Sequence, residues 1–365
     1  MNLMSVSAKY RDLAKKYNNF RAPTVEITVG GTKLISGVKL NVTDVSVDLS
    51  CEYEASGCSF SVVGEYKPKN TDFTSDISKI QVGETVKIEL GYIRLEHVFT
   101  GYINQVEYDF NFGGNGYMIR VEGMDAKGLL MKNQRIEIFK EKTASGVVTK
   151  VLGEQPVSSY LLGKEVEGTP AEKNDIRVDM TTDYDLIVEH ATKLNFEFFI
   201  LQGKAYFRSK EKVSSPVIKL SPKHGIFEAT LRLSGQELFK TAEVRAVDDA
   251  TSKELKGEAN IIGKFSQGGT AEKMMGSSKK IFNESGVKDA AEAKKKAELK
   301  LVKAAESFGS LEVNCVGIPE IGPGRFIELE EMSGILNKKY YITNVSHKMG
   351  GEGYRTTIKA RVKSL

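Results

Sequence analysis

Acid–base, nucleophilic and metal chemistry in proteins rests mostly on histidine, cysteine and paired carboxylates. This chain of 365 residues holds four histidines, His97, His190, His224 and His347, and three cysteines, Cys51, Cys58 and Cys315. None of the histidines lies in an HxxxH, HExxH or Cys-His spacing. Three cysteines make no disulfide framework, and their spacing fits no zinc template, so they read as buried free thiols. No GxSxG nucleophile elbow is present. The stretch GMDAKGLL, Gly123 to Leu130, has two glycines at P-loop spacing but lacks the Lys and Ser/Thr that would hold phosphate and magnesium, and reads as a strand end entering a turn or short helix. In ELEEM, strand alternation puts Glu328 and Glu330 on one face, toward solvent, with no cleft to make them an acid and base pair. His190 falls on the apolar face of a helix pattern and His347 in a closing strand, both better explained as hydrogen-bonded core residues. The residues therefore assign no catalytic, cofactor-binding or metal-binding position, and the chain is expected not to be an enzyme.

The elements that carry these residues follow from composition and period. Apolar residues are 40% and charged residues 27% of the chain, the balance of a folded protein, and its length allows two or three cores. A net charge of +4 over this length is too weak to predict nucleic-acid binding. No apolar run approaches the roughly 20 residues of a membrane span. The N-terminus carries charge throughout and has no signal-peptide core, so synthesis in the cytoplasm is expected.

Residues 1–22 read as an N-terminal helix, with Tyr10, Leu13, Tyr17 and Phe20 at helical spacing and Pro23 ending it, docked on its own body or on a neighbouring subunit. From Thr24 the period changes to two. TVEITV and TKLI suggest a hairpin, Thr43-Asp44 shifts the phase as a bulge would, and CSFSVV, TVKIEL, HVFTGYINQVEYDF and YMIRVEG continue the alternation. Residues 23–135 are thus a first antiparallel β-barrel or sandwich module. Residues 136–212 are a small α+β module. Its first helix is capped by Thr143, its second by Asp183, and FEFFI and AYFR form a hairpin across LQGK. Residues 213–365 are a second β-module with an inserted helix at about 287–308, capped by Asp289 with Glu292, whose buried stripe is Ala290, Ala297, Leu301, Ala304 and Phe308. Gly263 to Ser278 reads as a mobile loop. The fold class is α+β, mainly β, and the two β-modules could be distant copies of one another.

Three segments resemble one family. DYDLIVEHATKLNFEFFILQGKAYFR is similar to the helix, aromatic strand, Gly turn and aromatic strand of phage late control protein D and type VI spike proteins. GVKDAAEAKKKAELKLVKAAESFGSLEVNCVGIPEIGPGRFIELE resembles the family's Ala-rich helix, its Gly-Pro or Pro-Gly loop, here Gly322-Pro323-Gly324, and the strand after it. The last hairpin, KKYYITNVSHKMGGEGYRTTIKARV, resembles its closing pattern, a V-x-H strand before a glycine turn and GY-x-T. These motifs cover most of the chain beyond Asp183, and the N-terminal half matches in general architecture. The resemblance implies a baseplate hub of a contractile phage tail, tailocin or other injection system, with two tail-tube-like barrels per chain. It implies a homotrimer whose pseudo-six-fold ring joins a hexameric tail tube to a trimeric central spike, with further baseplate proteins as partners. The spike is then expected to be a separate polypeptide, with no lysozyme or peptidase insert here. Assembly into a virion tail or tail-like particle follows from the same resemblance.

Such a ring suits the physics of strand edges, which aggregate unless paired and can instead become the assembly interface. Two rival readings remain in view: a cell-wall-degrading tail enzyme with a cryptic site in the middle module, around His190 and Asp185, and a nucleic-acid-binding β-barrel, against which the scattered lysines speak.

Overall fold

The computed structural model describes residues 7–65, 77–114, 116–172, 175–247, 252–261, 270–284, 287 and 289–362. Alternation of apolar and polar residues produces the first strand set: β1 (Thr24–Val29), β2 (Thr32–Lys33), β3 (Asn41–Ser50), β4 (Gly57–Glu65), β5 (Thr85–Gly91), β6 (Leu95–Asn111) and β7 (Gly116–Met124). The phase shift at Thr43-Asp44 is a real irregularity. The β3–β4 register slips between Thr43 and Ser46, and Asp44 adopts φ +53°. After helix α2 (Lys127–Leu130) come β8 (Gln134–Ile138), α3 (Ala144–Val151), β9 (Gly163–Val166), β10 (Arg177–Thr182), α4 (Asp183–Leu194), β11 (Phe196–Leu201) and β12 (Lys204–Ser209), with a core of their own. The second strand set is β13 (Pro216–Leu220), β14 (Ile226–Leu233), β18 (Gly309–Val316), β19 (Phe326–Leu329), β20 (Lys339–Gly350) and β21 (Gly353–Val362). Between β14 and β18 is an inserted unit: β15 (Thr241–Val247), β16 (Glu254–Asn260), α5 (Thr270–Met275), β17 (Lys279–Asn283) and α6 (Ala290–Glu306).

The two strand sets follow the same path. In each, two strands of a front sheet are followed by the pair that completes it in reversed order: β3-β4-β7-β6 in the first, β14-β18-β21-β20 in the second. In each, the long strand turns a corner. β6 pairs with β5 as far as Tyr102 and with β7 from Tyr102 onward. β20 pairs with β19 at Lys339–Tyr341 and with β3 at Asn344–Met349. Back strands complete each set, β5 with β1 antiparallel and β19 with β13 parallel. The β20–β3 pairing fuses the two front sheets, and one hydrophobic cluster runs through both sets, from Ile27 and Val47 to Val345 and Ile358.

Several local expectations need correction. Thr182, not Asp183, caps α4, its hydroxyl accepting from the Asp185 amide at 3.0 Å, because the Asp183 carboxylate is taken by Arg135 Nε at 2.7 Å and Asn133 at 2.7 Å. Thr143 and Asp289 cap as expected. In the buried stripe of α6, Ala293 replaces Ala290, which is exposed. The inserted helix does not lie on the second strand set's sheet alone but covers a three-stranded sheet of its own, β16-β15-β17. Gly257 of β16 allows that packing, since a Cβ there would lie 2.1 Å from the Lys294 amide and 2.7 Å from Ala293 Cβ. Of the expected loop from Gly263 to Ser278, residues 262–269 lie outside the described residues, while Thr270–Met275 is helical, with Ala271 and Met275 packed near Leu238 and Phe308. Residues 1–6 of the expected N-terminal helix also lie outside. The described helix α1 is Tyr10–Lys16, ended by the left-handed Asn18 to Phe20 turn before Pro23 is reached. No described helix is long and apolar enough to cross a membrane.

Candidate functional site

The front sheet has eight strands, β14-β18-β21-β20-β3-β4-β7-β6, and two unlike faces. Its inner face is apolar: Val45, Val47 and Leu49 on β3, Leu311, Val313 and Cys315 on β18. Its outer face is polar, as alternation requires. One transverse row, Glu228, Asn314, Thr357, Ser346 and Asp48, crosses from the second set into the first in register. Asn314 donates to Glu228 at 3.2 Å and accepts from Thr357 at 2.7 Å. Ser46, Ser59 and Glu122 form a second row. Acidic and basic side chains alternate on it, as where Arg120 meets Glu107 at 3.2 Å.

The ends of this sheet matter most. Among the described residues, β14 pairs only with β18, and no strand pairs with the outer side of β6 beyond Tyr102. Strand directions alternate across all eight, so β14 of one copy beside β6 of another would continue the antiparallel order. The back edges are covered. The Ala8 amide donates to the Val217 carbonyl at 2.7 Å and the Ser7 hydroxyl to Pro216, closing β13. On β1 the Glu26 carboxylate accepts from the Ile35 and Ser36 amides, each at 3.1 Å, folding the chain after β2 against it.

Buried polar clusters hold these parts in position. α1 lies across both strand sets. Lys16 Nζ reaches Glu96 of β6 at 2.5 Å and Glu320 at 2.8 Å, and the Tyr17 hydroxyl donates to Glu320 at 2.6 Å. Burial and the neighbouring Glu320 carboxylate push the Tyr17 phenol far above its ordinary range. Lys127, within GMDAKGLL, is fully buried. Its ammonium donates to the carbonyls of Ser50 (3.2 Å), Glu52 (3.2 Å) and Glu54 (2.5 Å), and Asp125 accepts from the Ser56 amide at 3.1 Å, so the motif clamps the β3–β4 loop. Burial lowers the Lys127 pKa and raises that of Asp125, with their mutual attraction opposing both shifts. The third cluster joins the middle segment to the second strand set. Glu197 and Arg208 face each other across the β11–β12 hairpin, Arg208 Nε donating at 3.0 Å, while Tyr341 donates to Glu197 and Arg208 Nη2 reaches the Gly324 carbonyl at 2.6 Å. Gly324, at φ +77°, lies where a Cβ would come within 2.7 Å of Phe199. Sequence reasoning missed this cluster. The signal was present as an acid within the aromatic run FEFFI and a base within AYFR, opposite one another once the LQGK turn sets the register.

The structure scatters the histidines. His347 is fully buried. Nε2 faces the Ile321 carbonyl at 3.0 Å and so carries the proton, leaving Nδ1 to accept from the Tyr354 hydroxyl at 2.9 Å. Burial pushes its pKa down to about 4. His97 Nε2 lies 2.7 Å from Thr100 Oγ1 and His224 Nδ1 lies 2.9 Å from Ser221 Oγ. His190 is buried on α4, its pKa lowered by desolvation, and Asp185 of the same helix bonds the Thr182 hydroxyl at 2.6 Å. Glu328 and Glu330 share one face and both meet Lys219, at 3.2 and 2.5 Å. Cys58 and Cys315 are buried and Cys51 is partly so; burial pushes the Cys51 and Cys315 thiols up to about 12. Among the described residues no three His, Cys, Asp or Glu side chains group as metal ligands.

No curated protein matches this chain by sequence. Solved structures match by fold. The 43 kDa tail protein of prophage MuSo2 from Shewanella oneidensis superposes with a TM-score of 0.71 at 15% identity, over 93% of this chain and 98% of that one. The tail protein from Neisseria meningitidis MC58 gives 0.72 at 14% identity, over 93% and 97%. E. coli c3393, described as a component of the type VI secretion system with structural similarity to T4 tail proteins gp27 and gp5, gives 0.56 at 11% identity, over 92% and 76%. The mainly β fold expected from the hub resemblance is therefore the fold found, that of phage tail and type VI proteins. The profile of the family described as Alg8 N-terminal domain matches residues 20–351, and the chain belongs to that family.

Proposed function

We propose that the chain is the structural hub of a contractile tail or tail-like injection particle, closing as a homotrimer between a hexameric tube and a trimeric spike. The observation that carries this reading is the repeated front sheet with one junction made inside the chain and its counterpart unmade. β20 pairs with β3, and the corresponding strands at the far ends, β6 and β14, have open outer edges among the described residues. A heterologous contact of this kind makes a closed ring when its rotation permits. Three copies would give six four-stranded units around one axis, and the polar outer face would line the channel. Its mixed small and charged side chains suit a wall that passes cargo without gripping it. On this reading residues 23–135 and 213–365 are the two ring modules, 136–212 the module between them and 1–22 the helix that straps them. Structural tail proteins as fold neighbours favour this role over a cell-wall-degrading enzyme in the middle segment. The other proposed contacts are to baseplate proteins of the particle.

Measuring the solution mass of the purified chain, alone and with its cognate spike, tests the proposal. Three times the 40.3 kDa chain mass is expected. A monomer in both conditions that captures neither tube nor spike protein would refute it.

A further inference from the structure

A cleft of about 700 Å³ opens on the polar face of the front sheet, at the end away from the Gly350–Gly353 hairpin, where the last turn of α6 overhangs β14, β18 and β21. Its volume is in the range of sites that hold a small ligand or a few residues of peptide. Its charges are unevenly satisfied. Arg361 is engaged by Glu306 at 3.3 Å and Glu52 at 3.5 Å. Arg232, Lys303 and Lys359 line the same cleft and have no ion-pair partner among the described residues; Glu312, opposite Lys359, is likewise unpaired, and the cleft's other two carboxylates are those of Glu52 and Glu306 on Arg361. A surplus of fixed positive charge in a concave, partly walled site attracts anionic groups more strongly than the same charges on an open surface.

We propose that this cleft docks an acidic polypeptide segment of the axial partner, its carboxylates meeting Arg232, Lys303 and Lys359. The identity of the partner rests on the hub reading, since each of three copies would place one such cleft around the mouth of the channel; the binding chemistry does not. A nucleic-acid duplex, far wider than a few residues of extended peptide, fits a cleft of about 700 Å³ less well.

The test uses the full chain and a synthetic hexaglutamate peptide, with affinity followed by fluorescence anisotropy. One peptide per chain is expected to bind at about 50 mM salt and to weaken roughly tenfold by about 300 mM. The double substitution Arg232→Gln with Lys303→Gln should weaken binding at least about tenfold, whereas Glu312→Gln should tighten it. Lys140→Gln, at an exposed lysine remote in sequence from the cleft, should change nothing. Absence of saturable binding, or binding indifferent to the double substitution, overturns the proposal. Tighter binding of a short duplex DNA with the same residue dependence overturns it in favour of a nucleic-acid ligand. The chain's solution mass is a separate readout, so a monomer that binds the peptide would fail the hub reading alone.

Discussion

The first and second strand sets share a path but not a setting. β3 has strands on both sides, β4 and β20, whereas β14, at the same place in the order, has only β18 among the described residues. β20 has its C-terminal half paired to β3, whereas that half of β6 has no outer partner among the described residues. A turn of six residues, from Cys51 to Ser56, separates β3 from β4, whereas a whole folded unit stands between β14 and β18. The comparison teaches that one type of contact is satisfied internally once, at β20 and β3, and has no counterpart at β6 and β14 among the described residues. Sheet edges are normally blunted in proteins that remain single. Here the back edges are blunted, by Ser7, Ala8 and Glu26, and among the described residues the front edges are not.

The largest expected effect breaks this comparison directly. Prolines at Thr230 and Leu231, tested one at a time, remove one amide that faces β18 and one that faces outward, since successive residues of an antiparallel strand alternate in this way. The outward one should leave the thermal midpoint nearly unchanged and abolish association. Proline at Val47 or Asp48 of β3 breaks a ladder bond whichever way the amide faces and should cost about 3 kcal/mol or more of fold stability. Equal destabilisation at both strands would erase the distinction.

The joint between the middle segment and the second set comes next. Arg208→Ala leaves Glu197 buried against Tyr341 without its cation, and chemical denaturation should show a loss of about 3–5 kcal/mol. Tyr341→Phe should cost less, about 1–2 kcal/mol.

The second set also carries the titrating core group. His347 is neutral when folded, with a pKa near 4 against 6.5 for the free side chain. The unfolded chain therefore binds a proton first as pH falls. The stability attributable to this residue should be intact above pH 6.5 and decline through the interval down to about 4, by about 3 kcal/mol in all. The wild type minus His347→Gln difference in denaturation free energy should show that slope; a flat difference would mean the imidazole is accessible to water.

The most local effect belongs to the inserted unit. Gly257→Ala forces a methyl into α6 at Ala293 and Lys294 and should cost about 1–3 kcal/mol. Hydrogen exchange should quicken in β15, β16 and β17 while the first strand set is unchanged.

Much of this architecture was legible in the sequence. The alternating runs, the bulge at Thr43-Asp44, the caps at Thr143 and Asp289 and the β11–β12 hairpin all reflect local periodicity or turn chemistry, which a single segment displays. The core role of His347 also followed, because no catalytic partner accompanied it. What the sequence hid is what depends on distant residues meeting. Nothing near Asp183 shows that Arg135 will claim its carboxylate and pass the cap to Thr182. Nothing in the Ala-rich run shows that Gly257 will draw in Ala293 rather than Ala290. The pairing of β20 with β3, nearly the whole chain apart, left no local trace, and with it the identity of the open edges was out of reach.

The central claim is that β14 of one copy lies beside β6 of the next. Single cysteines replacing Thr230 and Glu107 in the same chain, treated with a short bismaleimide, test it most directly, since the reagent tolerates a small offset in register. The account predicts covalent dimers and trimers and nothing larger, as a closed ring requires. Monomers alone, or a ladder that climbs past three chains, would contradict it.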